Sequence, residues 1–282
     1  MNNKLSSFFA CVKNEVLSWV CSAKMMIVLI LVVFIYNLVS QPLCQAASEM
    51  NTQINILEPI IALGTSGVVL LIIPLVFLFL ISDFPRANTI SCLHIVRMSK
   101  KRWLAMQITT LGLEVFLFLF FIAIVNIVLI WGVADWSLDW SKVATSYAAE
   151  LPDKANDFVD NLLPENLYLH MDLIMALIHT YALLFLYLLM LGMILIVASL
   201  LNVKYLGILV NALLVVIGAA LCALKVKAMW LLPMAHTVIW LHYTEYFREP
   251  IVNPAISYLY LGVANILLVV CSVWLVKKYR FT

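Results

Sequence analysis

Glu114 lies well inside the long apolar run that follows Trp103, about 15 Å along a helix by its rise. A charge near the middle of a bilayer costs at least ~2.5 kcal/mol, so an ionisable residue at that depth reads first as functional. His179, in another apolar run, falls at a similar depth when counted from the opposite side. The two are expected either to pair across helices or to line a substrate path. The competing role for Glu114 is a protonated carboxyl that hydrogen-bonds an Asn, Ser or Thr of a neighbouring helix and holds helices together. Gly64-Thr65-Ser66-Gly67 raises a different chemistry. An intramembrane serine protease places a G-x-S-G serine below the outer surface with a histidine on another span, a role Ser66 and His179 would fill. Small residues in membrane helices otherwise serve close packing, and no oxyanion arrangement is evident beside this one.

Other chemistries find no support. His236 and His242 are six apart, hence on different faces of a helix, and there is no His-Glu-x-x-His. The six cysteines form no CxxC pair, so a zinc or redox centre is not expected. The chain has no G-x-x-x-x-G-K-[ST] loop to cradle phosphates. No cofactor or metal is therefore expected on this chain.

These side chains must be positioned by a structure in lipid. Of 282 residues 65% are hydrophobic and 11% charged, against about 25% charged in a soluble domain, too few polar groups to cover a water-facing surface. The net charge of +2 comes without a basic patch, which gives no indication of nucleic acid. Pro42 and an acidic loop follow the first apolar run without an evident small-x-small cleavage site, so that run is expected to remain as a helix rather than leave as a signal.

A spanning helix needs about 20 apolar residues. Six segments qualify, near 24–39, 58–81, 103–131, 171–201, 205–224 and 257–276. Orientation follows from Lys and Arg in the connections. Lys4, Lys13, Lys24, Arg86, Arg97, Lys100, Lys101, Arg102, Lys204, Lys277, Lys278 and Arg280 fall on one side. The other side holds Lys142, Lys154, Lys225, Lys227 and Arg248 together with most acids, among them Asp135, Asp139, Glu150, Asp153 and Asp157. The expected fold is thus all-α and polytopic, with six transmembrane helices in one domain and both termini cytoplasmic.

Four segments between the spans have their own character. In 1–22, Leu5, Phe8, Phe9, Val12, Val16 and Trp19 recur at helical spacing, which predicts an amphipathic helix at the inner membrane face. In 83–102, Pro85 stops the second span, and residues 86–98 form a candidate short helix carrying Ile90, Leu93 and Arg97 toward a cytoplasmic partner. Lys100, Lys101, Arg102 and Trp103 then anchor the third span at the headgroups. In 132–170, Trp136, Trp140, Val143 and Tyr147 suggest one face of a surface helix. In 225–256, the apolar run 228–241 is too short to span, is broken by Pro233, and reads as a re-entrant pair of short helices at the outer leaflet.

This layout, with Arg97-Met98-Ser99-Lys100-Lys101-Arg102-Trp103 leading into the third span and a broken apolar segment before Asn253-Pro254, resembles the type 2 ABC exporter permeases over nearly the whole chain. The resemblance implies a coupling helix at Arg86, Ile90, Leu93, His94 and Arg97 that docks a dimer of separate ATPase subunits. ATP and Mg would be bound there, and a second permease copy or a related permease would complete the pathway. It also implies that ATP-driven closure of the ATPases tilts the membrane helices between inward-open and outward-open states. The expected function is export of an amphipathic or hydrophobic molecule across a bacterial plasma membrane. Aromatic outer segments and an acidic outer loop would suit a cationic amphiphile such as an antimicrobial peptide. A non-transporting scaffold or sensor subunit is the alternative from another class, and the protease a third.

Overall fold

The computed structural model describes residues 2–86, 99–151, 162–244 and 250–279. The chain begins with α1 (Asn2–Val20). A single 3-10 turn then leads into α2 (Met26–Ile35), a π-turn at Tyr36–Ser40 and α3 (Gln41–Glu49). Pro42, expected to follow the first span, lies within its helix. A proline lacks the N–H that the preceding turn would bond, and its ring crowds the carbonyl four residues back; a π-turn widens the helix at that point and lets it continue. The first apolar helix therefore runs over Ala23–Glu49, ten residues past the expected end at Val39.

Two residues of strand, β1 (Ile54–Asn55), precede α4 (Glu58–Ala62) and α5 (Gly67–Leu80). The expected uninterrupted second span is here two helices, broken at 63–66, where Gly64, Thr65 and Ser66 interrupt the apolar run. The 14 residues of α5 cover about 21 Å, short of a bilayer core of about 30 Å. Next come α6 (Lys100–Ile130), β2 (Ala134–Asp135), α7 (Lys142–Glu150), α8 (Glu165–Tyr168), α9 (Leu173–Leu200), α10 (Lys204–Ala223) and α11 (Pro254–Lys278). Side chains set several of these starts. Ser99, Ser141 and Asn253 each accept a backbone N–H from the first turn of α6, α7 and α11. Asn51 and Asn202 take left-handed conformations (φ 51° and 61°) just past α3 and α9. Thr52 N–H and Val203 N–H then reach back to Ala47 O and Ala198 O at 2.9 Å, satisfying carbonyls that the helix ends leave open.

Among the described residues five helices are long and apolar enough to cross a membrane: Ala23–Glu49, Lys100–Ile130, Leu173–Leu200, Lys204–Ala223 and Pro254–Lys278. The chain is an all-α multi-pass membrane protein. α9 is central, packed against α6, α10 and α11. Outward faces of α10 and α11 stay apolar, with Leu209, Val216, Leu259, Ile266 and Val270 exposed, as lipid-facing helices require. Two contacts mark one end of the bundle, the basic end: Lys24 Nζ pairs with Asp83 Oδ2 at 2.5 Å, and Lys100 Nζ donates to Tyr279 O at 2.6 Å. The opposite, acidic end carries a cap built from α3, α7, α8 and the parallel pair β1–β2.

Gly192 on α9 leaves room for Leu111 of α6, whose side chain occupies the space a Cβ would take. Valine there forces the two helices apart; overpacking costs about 1–3 kcal/mol. The expected result for Gly192→Val is a lower midpoint of thermal unfolding in detergent, with Gly262→Val, where nothing crowds the Cα, as the neutral control.

Candidate functional site

Glu114 does not meet His179. Leu111 of α6 packs at Gly192 of α9; from that level Glu114 lies three residues toward the acidic end and His179 thirteen. Helical rise separates them by about 15 Å along the bundle. Sequence counting assumed that the third span begins at Trp103 in the headgroups. α6 and α9 have 31 and 28 residues, about 46 and 42 Å by helical rise, each longer than a bilayer core of about 30 Å, so depths counted from opposite ends do not bring Glu114 and His179 to one level.

The partner of Glu114 is Arg86, whose Nη1 stands 2.8 Å from Oε1. The same nitrogen donates to the backbone carbonyl of Glu15 at 3.2 Å and lies 3.8 Å from the Glu15 carboxylate. Glu114 is fully buried and Arg86 is 8% exposed. Three elements meet in this cluster: α1, the segment leaving α5, and α6. Cys11, Val12 and Trp19, one helical face of α1, are buried, whereas Phe9, Leu17 and Val20 are exposed, so the face that docks is narrower than the amphipathic stripe. Gln107 and Thr110 continue the Glu114 face of α6 and are fully buried without hydrogen-bond partners among the described residues. Of the coupling residues read from the sequence, Arg86 belongs to the described part; Ile90, Leu93, His94 and Arg97 lie outside the described residues. Lys100, Arg102 and Trp103 open α6, where Lys100 also ties α6 to the C-terminal end of α11. Lys24 holds the Asp83 carboxyl below the usual carboxylate range.

At the acidic end residues 227–242 form three 3-10 turns, Lys227–Leu231, Ala235–Thr237 and Ile239–His242, rather than a pair of helices. Pro233 removes a donor between the first two turns. Ser257 of α11, fully buried, lies 2.8 Å from His236 Nδ1 and 2.7 Å from His242 Nε2. The remaining nitrogens donate to backbone: His236 Nε2 to Trp230 O, and His242 Nδ1 to Val238 O and Ile239 O. Burial pushes both rings down, His242 to about 4. Ser257 has one proton for two rings and serves one of them at a time. Sequence spacing put these histidines on different faces because it assumed one helix; successive 3-10 turns bring them back to a common hydroxyl. This is a closed pin holding the segment to α11.

His179 Nδ1 lies 2.8 Å from the Tyr258 hydroxyl. No hydrogen bond joins His179 to Ser66 among the described residues, and the dyad a serine protease needs is not formed. Gly64 takes a packing role, its Cα against the Thr180 side chain. Asn126 and Asn211 bridge helices: Ser40 donates to Asn126 Oδ1 at 3.0 Å, and Asn211 Nδ2 donates to Leu191 O at 2.9 Å, whereas Asn37 Nδ2 donates to Val33 O within its own helix.

A group that sequence reasoning missed anchors the cap. Glu58, fully buried, accepts from Ser141 N–H at 2.7 Å, Ser141 Oγ at 2.8 Å and Asn55 N–H at 3.2 Å. Asn55 Nδ2 donates to Ser137 O, Ser137 Oγ and Asp139 O, and its Oδ1 accepts from Leu57 N–H. The signal was present in Asn55-Ile56-Leu57-Glu58, the spacing of a capping box. Tyr147 and Val143 of α7 are buried in the cap, Trp140 Nε1 donates to Met171 O, and Trp136 points away at 67% exposure, outside the expected helix face.

No protein-family model, curated protein or solved structure matches this chain.

Proposed function

We propose that the chain is the membrane-spanning permease subunit of an ABC exporter in a bacterial plasma membrane. It crosses six times, with 58–80 as a broken second span, and the basic end and both termini lie in the cytoplasm. A dimer of separate ATPase subunits binds ATP and Mg and docks on the connection that begins at Arg86; a second permease copy completes the path. The cargo is amphipathic or hydrophobic.

One observation carries this reading: the root of that connection is buried as a charge and bound to two other helices. A docking segment can move membrane helices only if its attachment is stiff. Arg86, clamped by Glu114 of α6 and Glu15 of α1, provides that stiffness, because pulling the guanidinium away exposes a fully buried carboxylate without its counter-charge.

The test is reconstitution of the chain, with the P-loop ATPase that co-purifies from its native membrane, into vesicles loaded with fluorescent amphiphiles. ATP-dependent movement that is lost on Arg86→Ala is the expected result. An ATPase whose rate responds to the chain while nothing crosses the bilayer would replace the transporter reading with a sensor or scaffold subunit.

A further inference from the structure

The broken second span leaves a helix start at the wall of a cavity of about 640 Å3, a size suited to one small ligand. Leu70, Leu71, Val216, Ala219 and Leu241 make its walls apolar. Its polar features gather at one end. Ser66, in extended conformation, precedes α5 and makes no side-chain cap. The first intrahelical bond is Leu70 N–H to Ser66 O, which leaves the N–H groups of Gly67, Val68 and Val69 without a helical acceptor. A helix start carries about half a positive charge. Ser66 is 4% exposed, lines the cavity, and its hydroxyl has no partner among the described residues. Lys225 is the one charged side chain among the described lining; its ammonium lies 5.2 Å from the centre of the Trp240 ring. Trp240 is fixed in turn by donation to Thr65 O at 3.4 Å.

We infer that this cavity binds an amphiphile with a single hydrocarbon tail and an anionic head. The tail lies along the apolar wall between α5 and α10. The head meets the free N–H groups of α5, the Ser66 hydroxyl and the Lys225 ammonium. Each of these favours a negative group, and no carboxylate among the described lining opposes it. A cationic amphiphile would meet three repelling features at the same end. The Gly64-Thr65-Ser66-Gly67 run thereby gains a role that fits its breaks: Gly64 for contact with α9, Ser66 for the ligand head. Calling the bound molecule the cargo rests on the proposed function; the binding itself does not.

The test uses the full chain in phosphatidylcholine nanodiscs, with quenching of tryptophan fluorescence by a dibrominated stearate. A dibrominated lysophosphatidylcholine and a dibrominated alkylamine serve as zwitterionic and cationic controls. The expected result is saturable quenching by the fatty acid that disappears in Trp240→Phe. The two controls quench only in proportion to their partition into the disc. Lys225→Glu, an exposed site outside the helices, weakens the half-saturation at least tenfold, and Ser66→Ala weakens it severalfold. Ala219→Phe, which fills the cavity and leaves every polar group in place, abolishes it. Equal saturation by the zwitterionic or cationic lipid, or an unchanged midpoint in Lys225→Glu, would overturn the inference. Binding without ATP-driven movement would instead count against the exporter reading alone.

Discussion

Replacing Arg86 with alanine is expected to destabilise the protein by about 3–5 kcal/mol, because it strands the Glu114 carboxylate in a site without solvent. The effect has a local signature. α1 loses its tie to the α5 exit, so Cys11, 5% exposed under that contact, becomes reactive toward a maleimide in a variant where it is the single cysteine. Glu114→Gln costs less than Arg86→Ala, since Arg86 keeps the Glu15 carbonyl and carboxylate. Arg86→Met combined with Glu114→Leu recovers most of the stability, as replacing a whole buried pair by apolar groups commonly does, but does not recover ATP-driven movement. Thermal unfolding and Cys11 labelling in detergent check the first three statements. If the double variant transports at the native rate, the clamp is merely structural.

Glu58→Ala should cost about 3 kcal/mol. Two backbone donors, Asn55 N–H and Ser141 N–H, and the Ser141 hydroxyl lose their acceptor in a buried site, and each unsatisfied buried group costs about 1–3 kcal/mol. The loss falls on the cap. Hydrogen exchange should quicken at Ser141, and at Ile56, whose N–H bonds Asp135 O across the β1–β2 pair, while amides of α9 and α11 keep their rates. Glu58→Gln retains one acceptor oxygen and sits between the two. Uniform acceleration through the bundle would show that the cap is not a separable unit.

The multi-pass fold was legible because apolar runs of spanning length are properties of single segments. What failed was reasoning that needed a reference level between segments. Glu114 was found as the buried carboxylate, but its depth was counted from one end of the bundle and that of His179 from the other, and on helices of 31 and 28 residues the two counts do not meet. Arg86 itself was read as the start of a helix docking a cytoplasmic partner; nothing in its neighbours marks it as the one that turns inward. Pro42 and Pro233 illustrate opposite outcomes of one rule. The first is absorbed by a π-turn within a helix already supported on both sides, and the second lies in a run too short to resist breaking. The Glu58 clamp was readable from the capping-box spacing, but an acid at the start of an apolar run was taken as its boundary.

The crossing pattern is tested most directly by placing single cysteines at Ser99, at the start of α6, and at Trp136, on the cap, in an otherwise cysteine-free chain. In intact cells an impermeant maleimide should label Trp136→Cys at once and Ser99→Cys only after the membrane is opened. Equal labelling of both from the same compartment would contradict it.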